Sequence, residues 1–307
     1  MDKIPVIVVL GPTASGKTAL AIELAKVYDG EIVSADSMQI YKGMDIATAK
    51  PSKKELSTVP HHLIGFVPPN KRFSVAEYVE AAGKVIFDIH NRDKLPILCG
   101  GTGLYINSLI DNIKFDDTAE NFELRAKLFK VAQEKGNHYL WEMLKNVDEQ
   151  AAEKIHENNL TRVIRALEVY EISGKTISEA KEMSRSEPSP FKPYFIGLNF
   201  SNRQILYNRI NERVDKMVES GLINEARDAY SEDCLMKTAH QAIGYKELVP
   251  YFEGMADLES CIDKIKQETR RYAKRQLTWF RRDTRINWIN CDEFGDCLLY
   301  TSPSPRD

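Results

Sequence analysis

The sequence predicts an α/β protein, a doubly wound parallel sheet interrupted by a helical insertion. Three observations predict it. Pro5–Leu10 and Leu95–Cys99 are wholly apolar runs of strand length, the pattern of strands buried on both faces. Loops and helix-patterned segments alternate with them, which implies right-handed crossovers between parallel strands. Between Phe115 and Met183 the pattern turns almost entirely helical, and Tyr194–Phe200 then returns to strand character.

Each element has a local reason. Gly11–Thr18 is a glycine-containing loop, and Thr18–Val27 carries apolar residues at helical spacing. Glu31–Ser34 reads as a second strand, ending just before Asp36. Gly100-Gly101 stops the Leu95–Cys99 strand, and a helix follows from Gly103 to Leu109. Asn121–Glu134, Tyr139–Leu144, Asp148–His156 and Leu160–Ile172 are the helices of the insertion, the last closed by Gly174. Ser184–Pro193 is a Pro/Ser-rich linker. Ser201 is positioned to cap a helix over Arg203–Ser220, with Gly221 beyond its end, and Glu259–Arg282 is a second long helix. The expected division is a discontinuous core, residues 1–115 and 191–296, around an insertion at 116–190. The last eleven residues, Cys297–Asp307, match one reading frame of a transposon-type sequencing adapter. They are expected to be non-native, the true sequence departing after Asp296.

Composition narrows the function. The 307 residues are 43% apolar, enough to bury a core, yet no apolar run approaches the roughly 20 residues that span a bilayer. Neither a membrane anchor nor a signal peptide is expected, which places the chain in the cytoplasm. Five cysteines with wide spacing and no C-x-x-C read as reduced thiols. His61-His62, the one His pair, reads as loop or surface. A net charge of −3 argues, by itself, against a nucleic-acid partner. The distribution reverses that argument: Lys264–Arg285 holds nine cations against Glu268 and Asp283, with Tyr272, Trp279 and Phe280 interleaved. Basic residues among aromatics suit a phosphate backbone carrying stackable bases.

Gly11, Pro12, Thr13, Ala14, Ser15, Gly16, Lys17 and Thr18 spell G-x-x-x-x-G-K-[ST] between a buried strand and a helix. This is a P-loop, so the core is P-loop NTPase-like. Its backbone N–H groups cradle linked phosphates, Lys17 adds a cation, and the Thr18 hydroxyl suits Mg²⁺. Nothing in the motif specifies a nucleotide. Asp36 lies at the carboxyl edge of the sheet, where ligands gather; it suits a general base or a metal ligand, or a turn-capping aspartate. Gly100–Gly103 reaches the same edge and brings the Thr102 hydroxyl, in place of the acid that an NTP-hydrolysing site carries there. Arg209 and Arg213 share one helix face, as a phosphate clamp or a solvated face; Arg162 and Arg165 share another.

Six ordered blocks together resemble one family, the bacterial tRNA dimethylallyltransferases: Gly11–Thr18, Ser34–Lys50, Gly100–Tyr105, Arg165–Thr176, Ile243–Glu247 and Ala273–Arg282. The resemblance runs to about Asn290. It implies transfer of a dimethylallyl group from dimethylallyl diphosphate to the exocyclic amine of the adenosine 3′ of the anticodon, in tRNAs reading codons that begin with U. It implies Mg²⁺ on Thr18, diphosphate in the P-loop with Lys17 and Arg213 on its oxygens, and Asp36 as general base. It places the tRNA anticodon stem-loop on Asp36, Ser37, Met38, Gln39, Thr102 and Arg125, the last across a one-residue insertion. Further tRNA contacts would come from Thr161, Arg162, Val163, Ile164 and Arg165, from Gln241, Ala242, Ile243, Gly244, Tyr245 and Lys246, and from Lys274, Arg275, Gln276 and Arg281. A monomer is expected. The rivals are a P-loop kinase using Gly11–Thr18 for ATP, an enzyme that prenylates free AMP or ADP, and a non-catalytic RNA-binding protein; the basic helix favours a polynucleotide acceptor.

Overall fold

The sheet is built around β1 (Ile4–Leu10), which pairs in parallel with β4 (Leu95–Gly100) on one side and β5 (Phe191–Asn199) on the other. β2 (Gly30–Ser34), β3 (His61–His62) and β6 (Asn287–Asn290) complete six strands in the order β3-β2-β4-β1-β5-β6, all pairs parallel. The structure is a computed structural model and describes residues 2–115, 121–184, 187–231 and 241–293. The expectation for Cys297–Asp307 lies outside the described residues.

The chain divides into two compact units, Met1–Ile110 with Ser189–Asp307, and Asp111–Pro188. In the first, β1 is apolar throughout because both its faces are covered. Val6, Val8 and Leu10 pack with α3 (Val75–Asn91) and α4 (Gly103–Ile110), while Val9 packs against α1 (Lys17–Val27). The long helices α10 (Arg203–Glu219) and α13 (Leu258–Phe280) cover Leu198 through Ile210, Ala273 and Leu277. A further cluster joins α11 (Leu222–Ser231) and α12 (Val249–Phe252) to Ile40, Met44 and the first half of α13. The second unit holds α5 (Phe122–Lys135), α6 (Asn137–Val147), α7 (Glu149–Lys154), α8 (Leu160–Ser173) and α9 (Ile177–Met183) around Leu128, Leu140, Leu144, Val163 and Leu167. Among the described residues no helix is long and apolar enough to cross a membrane.

The sequence reading departs from the structure at several points. Two helices lie outside the expected elements, α2 (Lys53–Thr58) and α3, and both start with a capping box, Ser52/Glu55 and Ser74/Glu77. His61-His62 is an edge strand, not a loop: His62 Nε2 lies 2.7 Å from Glu31, whose buried carboxylate is also held by Arg92. These partners pull the Glu31 carboxyl down to about 2, with the Arg92 hydrogen bond contributing most. The linker stops short of Pro193, since Phe191–Pro193 already pair with β1. Ser201 does not cap α10; Asn202 does, and the Ser201 hydroxyl donates to Asp292 at 2.7 Å, just past β6.

β4 ends without side chains because other backbone occupies the space. A Cβ on Gly100 would lie 2.1 Å from the Ala35 carbonyl oxygen, which accepts from Thr102 N at 3.1 Å. Gly100→Ala must therefore push the end of β2 away from β4. We expect a loss of about 1–3 kcal/mol of stability, read as a lower urea midpoint with an unchanged slope, together with reduced activity because Asp36 follows directly on Ala35.

Candidate active site

The P-loop curls between β1 and α1. Gly16 sits in the left-handed region, φ 90°, and α1 has no side-chain N-cap, so its first-turn N–H groups stay available to an anion. Lys17 Nζ donates to the Pro12 carbonyl at 2.6 Å, folding its ammonium back over the loop. Arg209, one helical turn before Arg213 on α10, donates to the Ala14 carbonyl at 3.1 Å and stacks over Phe200. The alternative of a solvated Arg209/Arg213 face is thereby excluded.

The P-loop opens into a cavity of about 500 Å³ within the first unit. Thr13 to Thr18, Asp36 to Gln39 and Arg213 line it, so the residues proposed for diphosphate, base and metal are brought together. Gly11 and Pro12 do not line it. Burial pulls Lys17 down to about 8, aided by the Arg213 charge, while Cys99 and Asp36 oppose the shift. Burial also lowers Arg213. Two desolvated cations facing one space make an anion-binding site.

Of the roles left open by its sequence position, Asp36 fills that of a turn cap. Its Oδ1 accepts from Met38 N at 2.9 Å and Gln39 N at 3.2 Å, a turn cap. Its Oδ2 makes no hydrogen bond among the described residues, and Asp36 lines the cavity. Thr102 does not line the cavity; its hydroxyl accepts from Ser37 N at 2.9 Å and so fixes the Asp36 turn from behind. Gln39 Nε2 donates to the Thr48 and Ala49 carbonyls at 3.2 Å, tying that turn to a second wall of the cavity. Glu225, absent from the sequence reading, holds this wall. Its carboxylate accepts from the backbone N–H groups of Asp45, Ile46 and Ala47 at 2.8–2.9 Å and from the Tyr245 hydroxyl at 3.0 Å. No spacing in the sequence signals such an anchor.

A magnesium ion suits this donor set. Mg²⁺ takes oxygen ligands, keeps several waters and is commonly held by one or two side chains plus substrate phosphates. Thr18 lines the cavity that the P-loop frames, so its hydroxyl would be the protein oxygen that holds the ion, with phosphate oxygens and waters completing the shell.

The expected RNA-contacting stretches divide between surface and core. Val163 and Ile164 are buried in the helical unit, and Ala242 and Tyr245 in the first unit, so their side chains serve packing. Thr161, Arg162, Gln241 and Lys246 are exposed, and Gln241, Ala242, Ile243, Gly244 and Lys246 line the cavity. In the helical unit Arg125 and Arg165 both bind the fully buried Glu168, at 2.9 and 2.5 Å. Gln276 is 5% exposed and lines the cavity, accepting from Thr13 N at 2.9 Å and donating to the Gly101 carbonyl at 3.0 Å. The interleaved aromatics turn inward too: Phe280 is core, and Trp279 packs where Gly103 has no side chain. What faces outward is charge. Lys274, Arg275, Arg281 and Arg282 are exposed and, among the described residues, pair with no carboxylate, whereas Lys264, Lys266, Arg271 and Arg285 each do.

Comparison with known proteins agrees with this architecture. The family model described as IPP transferase matches residues 39–283. The tRNA dimethylallyltransferase of Thermoanaerobacter sp. (strain X514) is 51% identical over 296 residues, covering 95% of this chain and 93% of that protein. That of Acetivibrio thermocellus is 52% identical over 290 residues, covering 94% and 92%. The crystal structure of a tRNA isopentenylpyrophosphate transferase from Bacillus halodurans aligns with a TM-score of 0.69 at 43% identity, covering 94% of this chain and 90% of that one. A eukaryotic dimethylallyltransferase caught acting on tRNA aligns with a TM-score of 0.81 at 30% identity, covering 96% and 76%. With a P-loop core, a six-stranded parallel sheet and near full-length identity to these enzymes, the chain belongs to the tRNA dimethylallyltransferase family.

Proposed function

We propose that the chain transfers a dimethylallyl group from dimethylallyl diphosphate to the exocyclic amine of the adenosine 3′ of the anticodon, in tRNAs that read codons beginning with U. It does so in the cytoplasm, as a monomer. The observation that carries this reading is the convergence of Lys17, Thr18, Arg213 and Asp36 on one cavity with the P-loop at its end.

The chemistry follows from those groups. The adenine amine is a weak nucleophile because its lone pair is delocalised into the ring. As nitrogen bonds to the allylic carbon, the carbon–oxygen bond to diphosphate breaks and the amine becomes acidic. Asp36 Oδ2 takes that proton. Lys17, Arg213 and the P-loop N–H groups stabilise the departing diphosphate in a site where burial strengthens each interaction. The Thr18 hydroxyl would hold magnesium, which would supply further charge neutralisation for the leaving group. The adenosine must first leave its stack, which costs a few kcal/mol and least in a single-stranded loop. Exposed Lys274, Arg275, Arg281 and Arg282 on the first unit, and Thr161 and Arg162 on the helical unit, serve the tRNA backbone.

Four outcomes test the reading. Incubation with dimethylallyl diphosphate, Mg²⁺ and an anticodon stem-loop carrying consecutive adenosines should add a prenyl mass to the RNA in a single-turnover assay. Asp36→Ala should abolish that product while stem-loop binding persists; unchanged turnover would refute Asp36 as base. Donor affinity should depend on pH through Lys17. An anion binds the protonated ammonium, so affinity should be level below about 8 and fall as pH rises through that value. A flat profile from pH 7 to 9.5 by calorimetry would overturn this. Lys274→Ala and Arg281→Ala should each weaken stem-loop binding and lower the slope of log K against log salt by about 0.7–0.9. An unchanged slope would remove the α13 face from the tRNA surface.

A further inference from the structure

α13 carries its cations on one face and grips the donor loop with the other. Gln276 spans two segments that are remote in sequence. Its Oε1 accepts from Thr13 N in the P-loop, 2.9 Å, and its Nε2 donates to the Gly101 carbonyl beyond β4, 3.0 Å. The fit is built by both sides: a Cβ on Gly101 would lie 2.1 Å from Gln276 Nε2, and one on Gly103 would lie 2.2 Å from the Trp279 ring. One helical turn before Gln276, Tyr272 lines the cavity with its phenol beside the Thr102 and Gln276 side chains. Thr102 in turn receives Ser37 N, next to Asp36. Gln276 therefore joins the diphosphate loop to the loop after β4, and Thr102 of that same loop holds the base turn. A carboxamide suits this junction because it offers one acceptor and one donor, as the two loops require.

We propose that Gln276 is a positioning residue that braces the P-loop against the β4–α4 loop, fixing the spacing between the diphosphate site and Asp36. The proposal rests on the transferase reading for the reaction, but its first test does not. Gln276→Met keeps the size of the side chain and removes both hydrogen bonds. Binding of inorganic diphosphate with Mg²⁺, measured by calorimetry, should weaken roughly tenfold, the loss expected when a buried N–H and carbonyl are left unpaired. Stem-loop affinity and its salt slope should not change. Unaltered diphosphate binding with weakened stem-loop binding would overturn the proposal and make Gln276 an RNA contact.

Gln276→Glu is the second arm, and it serves also where the Met variant does not fold. An ionised Glu keeps the acceptor for Thr13 N and loses the donor for Gly101. Protonation restores a donor, so diphosphate affinity relative to the parent protein should recover as pH falls. A pH-independent ratio would sink the brace. Diphosphate binding that depends on Gln276 in a protein that transfers no prenyl group would keep the brace and refute the transferase reading.

Discussion

The site depends on bare backbone at the end of β4. Gly100, Gly101 and Gly103 each leave a space that something else occupies: the Ala35 carbonyl, the Gln276 carboxamide and the Trp279 ring. Those three neighbours belong to the end of β2 and to α13, whose chain positions lie more than 60 and 170 residues from the glycines. Side chains there would hold β2, β4 and α13 apart, and the P-loop would lose its Gln276 partner. Close approach at one sheet edge thus sets the distance between the anion cradle and the carboxylate.

Charge is arranged on the same frame. Lys17 and Arg213 are buried beside one another and against Asp36, so the cavity is short of negative charge until an anion enters. Their burial is what makes them effective, because a desolvated cation interacts more strongly with phosphate than an exposed one. The surface of α13 works differently. Acidic neighbours Asp215, Glu268 and Asp283 neutralise several of its cations, and what remains unpaired is the group around Lys274, Arg275, Arg281 and Arg282. A chain of net charge −3 can therefore present a local cationic face. In the helical unit the opposite economy holds: Glu168 gathers both Arg125 and Arg165, leaving one net positive charge among the three.

Much of this was legible in the chain. Strands β1, β2, β4 and β5, the P-loop, α10, α13 and the helices α5 to α8 announce themselves through apolar runs, helical spacing and glycine stops, which are local signals. The missed strands had weak local signals, whereas the missed helix α3 had strong ones. β3 is two residues long, β6 reads Asn-Trp-Ile-Asn, and α3 declares itself by a capping box and by Tyr78, Ala82, Ile86 and Ile89 on one face.

By itself the sequence determined the chemistry available: a phosphate cradle at Gly11–Thr18, an acid at Asp36, a second cation at Arg213 and a basic segment at Lys264–Arg285. Tertiary structure decided which way each residue faces. Helical spacing puts Gln276 and Arg275 side by side in the chain, yet one is buried against Thr13 and Gly101 and the other is exposed. Glu225 looks like any helix-surface acid until three backbone N–H groups from residues 45–47 converge on it. Such roles depend on partners far away in sequence, and a linear pattern encodes the residue's own properties but not which distant backbone will need them.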